Sequence, residues 1–398
     1  MNYEFTDKGK KMTYALMGVG LLAVILGIMT AHGEHGATRI WANILVDSFF
    51  FFGIALAATF MIAIQYVAEA AWAVPLKRVY EAVSSFLPIS AILLIVVFAA
   101  GSLHLHHIYH WMDTEVYDTA SPKYDEIIAN KHAYLNLPFF WIRTLVFLGI
   151  LVYFVRKFRS RSLEEDLTGG TEIHFSNMKM SATFLVLLAV MICTSSWDWI
   201  MSIDTHWFST LFAWYTFGGM WISGIITIIL ITLHLKSKGY LPEVNENHLH
   251  DIGKWMFAVS FLWSYLWFSQ FMLIWYSNIP EEVTYYINRI ENYRWLFFTT
   301  FFVNFAIPMV VLIARDTKRN WKYLKVVGII IFIGHWSDAF LAVMPGSMGE
   351  HWHLGLVEIG MFAGFLGLFL NVVLRELTKA PLIVQKHPYL EEALHLHN

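Results

Sequence analysis

Ten apolar runs constrain this chain more than any other feature it has. They lie at approximately 12–31, 40–66, 82–103, 137–156, 179–202, 207–235, 254–277, 294–314, 322–345 and 355–375. A bilayer core about 30 Å thick is crossed by roughly 20 residues of helix, and each run is long enough to cross. Together they take up most of the 398 residues and leave no room for a separate soluble domain. The expected fold is an all-α integral membrane protein, a single polytopic domain over residues 1–398. Composition agrees, with 57% hydrophobic and 14% charged residues, where a soluble domain carries about 25% charged residues. An ordinary cytosolic enzyme is excluded.

The first run follows Lys8, Lys10 and Lys11, as the apolar region of a signal peptide would. It is too long for one and lacks a convincing small-residue cleavage site, so it reads as a retained helix. With the N-terminus inside, 21 of the 27 Lys and Arg residues fall on the cytoplasmic side. A bias that alternates through ten spans is a positive-inside signal, and both termini are expected in the cytoplasm. The longest outer loop runs from about His104 to Leu135. A second, near 278–293, contains Ile279-Pro280-Glu281-Glu282. A net charge of −3 offers no basic excess for nucleic acid. The single cysteine, Cys193, rules out an internal disulfide, a Cys-ligated iron–sulfur cluster and a C-x-x-C-H haem attachment.

An ionisable side chain within a span is costly unless it faces the bundle interior, so each is a functional candidate. Toward the outer side lie Asp47, the group His104, His106, His107 and His110, then Asp198, Asp204, His206, His335, Asp338, His351, His353 and Glu358. Toward the cytoplasm lie Tyr66, Glu69, Glu81 and His234. Groups that exchange protons near neutral pH are thus concentrated in the outer half. His335 and Asp338 are three apart and share a helix face. A carboxylate beside an imidazole can accept and pass a proton, or the pair can simply lock two helices together.

Asp198, in Ser195-Ser196-Trp197-Asp198-Trp199, reads either as a buried group or as a wet helix end between interface tryptophans. Asp47, about two turns into its span, is expected to face the bundle, and Glu358 similarly. Glu69 and Glu81 flank Lys77 and Arg78, where ordinary surface ion pairs are expected. The spacings His106/His110 and His104/His107 suit either a metal or an interfacial proton-buffering cluster, and no metal site is assigned. A b-type haem needs two opposed buried histidines, and only His335 lies well inside a span. Tyr215, Tyr265, Gln270, Trp275 and Tyr276 could line a site for a flat ring such as a quinone, or serve as packing and belt residues.

Two longer runs carry a resemblance. They are Ser195-Ser196-Trp197-Asp198-Trp199-Ile200-Met201-Ser202-Ile203-Asp204-Thr205-His206-Trp207-Phe208-Ser209-Thr210-Leu211 and Ser269-Gln270-Phe271-Met272-Leu273-Ile274-Trp275-Tyr276-Ser277-Asn278-Ile279-Pro280-Glu281-Glu282. Both resemble the large membrane subunits of bacterial alternative complex III, a quinol:cytochrome c (or electron-acceptor) oxidoreductase. Those subunits belong to the polysulfide-reductase membrane-subunit (NrfD-like) superfamily. The segments Gln65-Tyr66-Val67-Ala68-Glu69-Ala70-Ala71-Trp72 and Arg78-Val79-Tyr80-Glu81 are similar to the second, shorter of the two. The resemblance implies ten helices in two four-helix bundles, helices 2–5 (about 40–202) and 6–9 (about 207–345), with helices 1 and 10 outside.

It also implies a place in a bacterial inner (plasma) membrane beside several partners. These are the homologous larger NrfD-like subunit, an iron–sulfur subunit, multihaem and monohaem cytochrome c subunits and small membrane subunits, with lipid and a terminal oxidase as further neighbours. Haem c and iron–sulfur clusters would sit on those partners, menaquinone or another quinol would be used by the complex, and this chain would bind no redox cofactor. The cysteine count agrees with that division.

The expected role is a subunit that supports quinol oxidation by the complex and contributes a proton-translocation route. On depth and chemistry that route runs from Glu69 and Tyr66 through Asp47 toward Asp198, His335, Asp338 and Glu358. A purely structural scaffold is one alternative. A secondary transporter is another, although it needs broken helices near the midplane, and Pro88 and Pro308 form no matched interruption.

Overall fold

The computed structural model describes residues 2–31 and 35–396. Among them the chain is all-helical and has ten helical segments long and apolar enough to cross a membrane. These spans are Asp7–Thr30, Gly36–Val67, Ala71–Ser102, Leu137–Thr168, Glu172–Ile203, Leu211–Ser237, Glu246–Ser277, Arg294–Leu312, Trp321–His351 and Leu356–Leu377. Several outrun the apolar stretches that announce them. The fourth continues past Arg156 to Thr168 and the fifth begins at Glu172, because hydropathy marks the lipid-immersed part of a helix and not its polar turns. The third is the exception to straightness. It starts as a 3-10 turn, Ala71–Leu76, and breaks before Leu87–Ser102. There Pro88 occupies the first turn, where its missing N–H costs nothing.

The second span is the most enclosed, with 89% of its apolar window buried, while the first is at 22%. The second therefore forms the centre and packs on the third, fifth, sixth and ninth; the first lies at the periphery against the tenth. That peripheral pair is held by small residues. A methyl group added at Gly20 would lie 2.4 Å from Gly364 Cα, so only glycine permits the approach, as in other tightly packed membrane helices. Asn371 Nδ2 donates to Thr13 Oγ1 across the same seam (2.8 Å). Leu21, Leu22 and Met29 point outward, as lipid-facing side chains do.

Two faces result. The terminal face carries both chain ends and the links between even-numbered spans and the odd-numbered spans that follow. The loop face carries the segment 103–136 and the links after the fifth, seventh and ninth spans. Segment 103–136 is ordered by its own contacts: Tyr109 donates to Trp199 O (2.7 Å), and Lys131 donates to Thr205 O. The 278–293 stretch, expected as a loop, contains a 13-residue helix, Pro280–Asn292. Its sequence carries the start signals, proline at the first turn followed by Glu281 and Glu282 at the positive end of the helix dipole.

Candidate functional site

The ninth span brings His335 and Asp338 to one face, and the sixth and seventh spans close over them. Tyr215 donates its hydroxyl to Asp338 Oδ1, and Trp263 Nε1 donates to Oδ2 at 3.1 Å. Among the described residues no Lys or Arg bonds this carboxylate. His335 is 2% exposed and sits edge-on to Trp263, with ring centroids 5.1 Å apart. Its Nδ1 lies 3.9 Å from Asp338 Oδ2, beyond hydrogen-bond length. Neither of its ring nitrogens has a hydrogen-bond partner among the described residues. The same holds for the side-chain amide of Asn304, on the eighth span. That amide packs on the backbone of Gly334, where an added methyl group would meet Asn304 Oδ1 at 2.1 Å.

Asp338 borders a cavity of about 20 Å³ that it shares with Tyr215, Gln270, Tyr285, Tyr286 and Arg289. Such a volume takes one water and is too small for a quinone ring. Arg289 is buried. It donates from Nε to Leu341 O (3.2 Å), from Nη1 to Tyr285 O (2.9 Å) and from Nη2 to Asp204 Oδ2 (3.2 Å). Its guanidinium lies 3.3 Å from the Tyr285 ring centroid, and Tyr285 in turn stacks on Trp207 at 3.8 Å. Burial pushes the Tyr285 and Tyr286 hydroxyls up, so both keep their protons. Tyr285 also borders a wide basin of about 1440 Å³ on the loop face, lined by His104, His107, His110, Asp125, Asp204 and His206 among others. Asp338 and Arg289 thus border one cavity, and Arg289 bonds Asp204, which borders the loop-face basin.

Asp47 reaches the ninth span from its other side. Its Oδ1 accepts from Trp336 Nε1 at 2.8 Å, and the residue is 1% exposed. Asp198 and Glu358 do not join this group. Asp198 is buried, not a wet helix end, and both its oxygens are taken by Arg143 (Nε 2.6 Å, Nη2 3.1 Å). Glu358 is held by Arg39 (Nε 2.7 Å, Nη2 3.0 Å), by Asn43 and by the Gly355 amide.

Tyr66 and Glu69 are at the terminal face: Tyr66 is about 28 Å along the second span from Asp47 at 1.5 Å per residue, and Glu69 lies just past the end of that span. Tyr66 accepts from Asn177 Nδ2 (3.1 Å), with Lys77 Nζ 4.8 Å above its ring. Glu69 is exposed and accepts from the Tyr389 hydroxyl (3.0 Å). The surface ion pairs expected beside them are instead a buried network. Lys77 binds Glu165 at 2.7 Å, and Arg78 binds Glu81 at 2.6 Å and also Asp166. Lys77, Arg78 and Glu81 are all at most 5% exposed, because the extended end of the fourth span and the end of the tenth cover them. Burial, then Lys77 and His174, push the His387 imidazole down to about 2, so it is neutral.

The histidines after the third span do not continue it. The helix ends at Ser102, and His104 takes a positive φ of 56°, which voids spacing arguments based on helical turns. His104 and His107 converge on Asp113 (3.2 and 3.1 Å), while His106 turns inward to Val97 O (3.0 Å). Burial lowers the affinity of His106 and His110 for a proton. Of the aromatic set, Tyr215 and Gln270 reach the Asp338 cavity, whereas Tyr265, Trp275 and Tyr276 point outward. Trp263 and Arg289 are not among the candidates read from the sequence; an arginine three and four positions after two tyrosines is the available signal.

No protein-family model matches the chain, and no curated protein matches it either.

Proposed function

We propose that this chain is a membrane subunit of a bacterial respiratory quinol:electron-acceptor oxidoreductase of the alternative complex III kind, and that it carries a proton route for that complex. The supporting observation is Asp338. It is a buried carboxylate held by two neutral donors, next to an unbonded imidazole, at the end of a polar path to the loop face. A carboxylate with no fixed counter-charge can be loaded and emptied of a proton, whereas one clamped by arginine cannot. The terminal face is then cytoplasmic and the loop face is the side of release. Helices 2–5 and 6–9 form two bundles with helices 1 and 10 outside, and haem c and iron–sulfur partners dock on the loop face and hold the electrons.

On this reading Asp338 and His335 exchange the proton, Tyr215 and Trp263 fix the carboxylate, and water in the cavity passes the proton toward Asp204. The Arg289 guanidinium, a donor with no acceptor, orients that water and repels other cations. Asp47 feeds the pair from the second span, and Tyr66 and Glu69 mark the cytoplasmic entry. Asp198 and Glu358 serve as helix clamps, which is the scaffold part of the role.

The test is purification through this chain in mild detergent, then reconstitution in liposomes. Co-purified haem c and iron–sulfur subunits are expected, with proton release that falls in an Asp338→Asn, His335→Ala double variant while the complex still assembles. A chain that purifies alone with its own iron or flavin overturns the reading, and unchanged release in the double variant removes the proton route.

A further inference from the structure

The terminal face holds a second cluster of polar groups that the proton route does not use. Glu165 near the end of the fourth span, His174 near the start of the fifth and His387 in the C-terminal segment are all buried. Each offers one ligand atom, and the three atoms lie within 4.8 Å of one another. We infer that these three residues form a binding site for a zinc-like divalent cation that ties the C-terminal segment to the fourth and fifth spans.

Three observations carry this. First, the cluster is left unsatisfied by the protein itself. Among the described residues neither ring nitrogen of His174 nor Oε1 of Glu165 has a hydrogen-bond partner, though the residues are 2% and 0% exposed. Buried polar atoms are nearly always paired, and a fully unpaired imidazole beside an unpaired carboxylate oxygen asks for a ligand. Second, the other oxygen of Glu165 is fixed by Lys77 Nζ at 2.7 Å, the kind of outer bond that orients a ligating carboxylate. Third, the donor set is selective. Two imidazoles and one carboxylate oxygen, with a fourth position open, suit zinc and its neighbours, whereas magnesium and calcium prefer oxygen alone.

Small side-chain movements complete the geometry. Ligands about 2.1 Å from a tetrahedral metal lie about 3.4 Å apart, so separations of up to 4.8 Å must close by as much as about 1.4 Å, which side-chain rotation supplies. The rings of His174 and His387 stand at 88° with centroids 5.3 Å apart and do not stack. The Tyr389 amide donates to His387 Nδ1 at 3.2 Å, a long bond that ligation through that atom replaces. A bound cation would also sit against Tyr66, whose ring centroid is 5.5 Å from that of His174. The inference does not depend on the proposed respiratory role.

The experiment uses the full chain, or the complex it purifies with, carrying His104→Gln and His107→Gln so that the exposed His104, His107 and Asp113 group cannot contribute. After chelation and dialysis against zinc, one zinc per chain is expected, with X-ray absorption showing two imidazoles and an oxygen at zinc. Cobalt in its place should give the intense visible bands of a four-coordinate site. Adding His174→Gln and His387→Gln should cut retention at least tenfold while the melting temperature of the chelated protein stays that of its parent. Zinc held equally by both proteins, less than one-tenth of a zinc per chain in the parent, or a zinc spectrum without imidazole overturns the proposal. The absorption spectrum decides the matter alone where the added substitutions prevent folding.

Discussion

The Tyr215 hydroxyl on the sixth span donates to Asp338 on the ninth, 123 residues further along the chain, and Trp263 from the seventh takes the other oxygen. Three spans thus meet on one carboxylate without an arginine or lysine. Changing Asp338 to Asn keeps the shape and removes the proton site. Proton release by the reconstituted complex should fall about a hundredfold if the carboxylate transfers protons as a general acid and base. Release measured with a pH-sensitive dye at matched quinol turnover checks this.

Tyr215→Phe removes the donor and keeps the ring. A buried hydrogen bond contributes about 0.5–1.5 kcal/mol net, so thermal stability should drop by an amount of that order. Adding Asp338→Asn to Tyr215→Phe should cost less than the sum of the two single changes, since both act on the same bond. Additive losses would show that the two side chains do not interact.

Arg143 and Asp198 make a different kind of contact, a bidentate pair that is nearly closed to solvent. Removing the cation strands a buried carboxylate, so Arg143→Ala should destabilise the protein by about 3–5 kcal/mol. Asp198→Asn should leave proton release intact wherever the complex assembles. Melting curves and the release assay together separate the clamp from the route.

The packing of the first span on the tenth depends on Gly20 and Gly364. Gly364→Ile should push the helices apart and cost about 1–3 kcal/mol as an overpacked contact, with proteolytic nicking at the ends of the first span as the readout. Proton release should be unaffected, because neither glycine approaches Asp338.

Asp125 caps the short helix Glu126–Asn130 and binds His206 at 2.6 Å. Burial raises its carboxyl, but the Ile128 and Ile127 amides and His206 outweigh this and hold it below the usual range. Its folded value being depressed, the anchoring is complete above the unfolded carboxyl value near pH 4 and is lost as pH falls through the lowered one. Hydrogen exchange in segment 113–135 should therefore accelerate only below about pH 4. Acceleration between pH 7 and 5 would assign the anchoring to a histidine instead.

What the sequence determined by itself was local in origin. Ten runs of apolar residues dictate ten crossing helices because the bilayer demands a stretch of that length wherever it occurs. The three-residue spacing of His335 and Asp338 places them on one face because helical geometry does so in any context. The burial of Asp47 followed from its depth. The start of Pro280–Asn292 was also written locally, in its proline and acidic first turn, and was missed because a short amphipathic helix has no apolar run.

Which charges meet was decided only by the tertiary structure. Asp198 found Arg143 across 55 residues and Glu358 found Arg39 across 319, and nothing in their neighbourhoods tells them apart from Asp338, which found a tyrosine and a tryptophan. Lys77, Arg78 and Glu81 went inside because the ends of two other spans cover them. Glu165 and His387, 222 positions apart, meet because the C-terminal segment folds back on the helix ends. Periodicity and hydropathy are properties of a segment, whereas the partner of a buried charge depends on how rigid helices pack together, and that packing is a property of the whole chain.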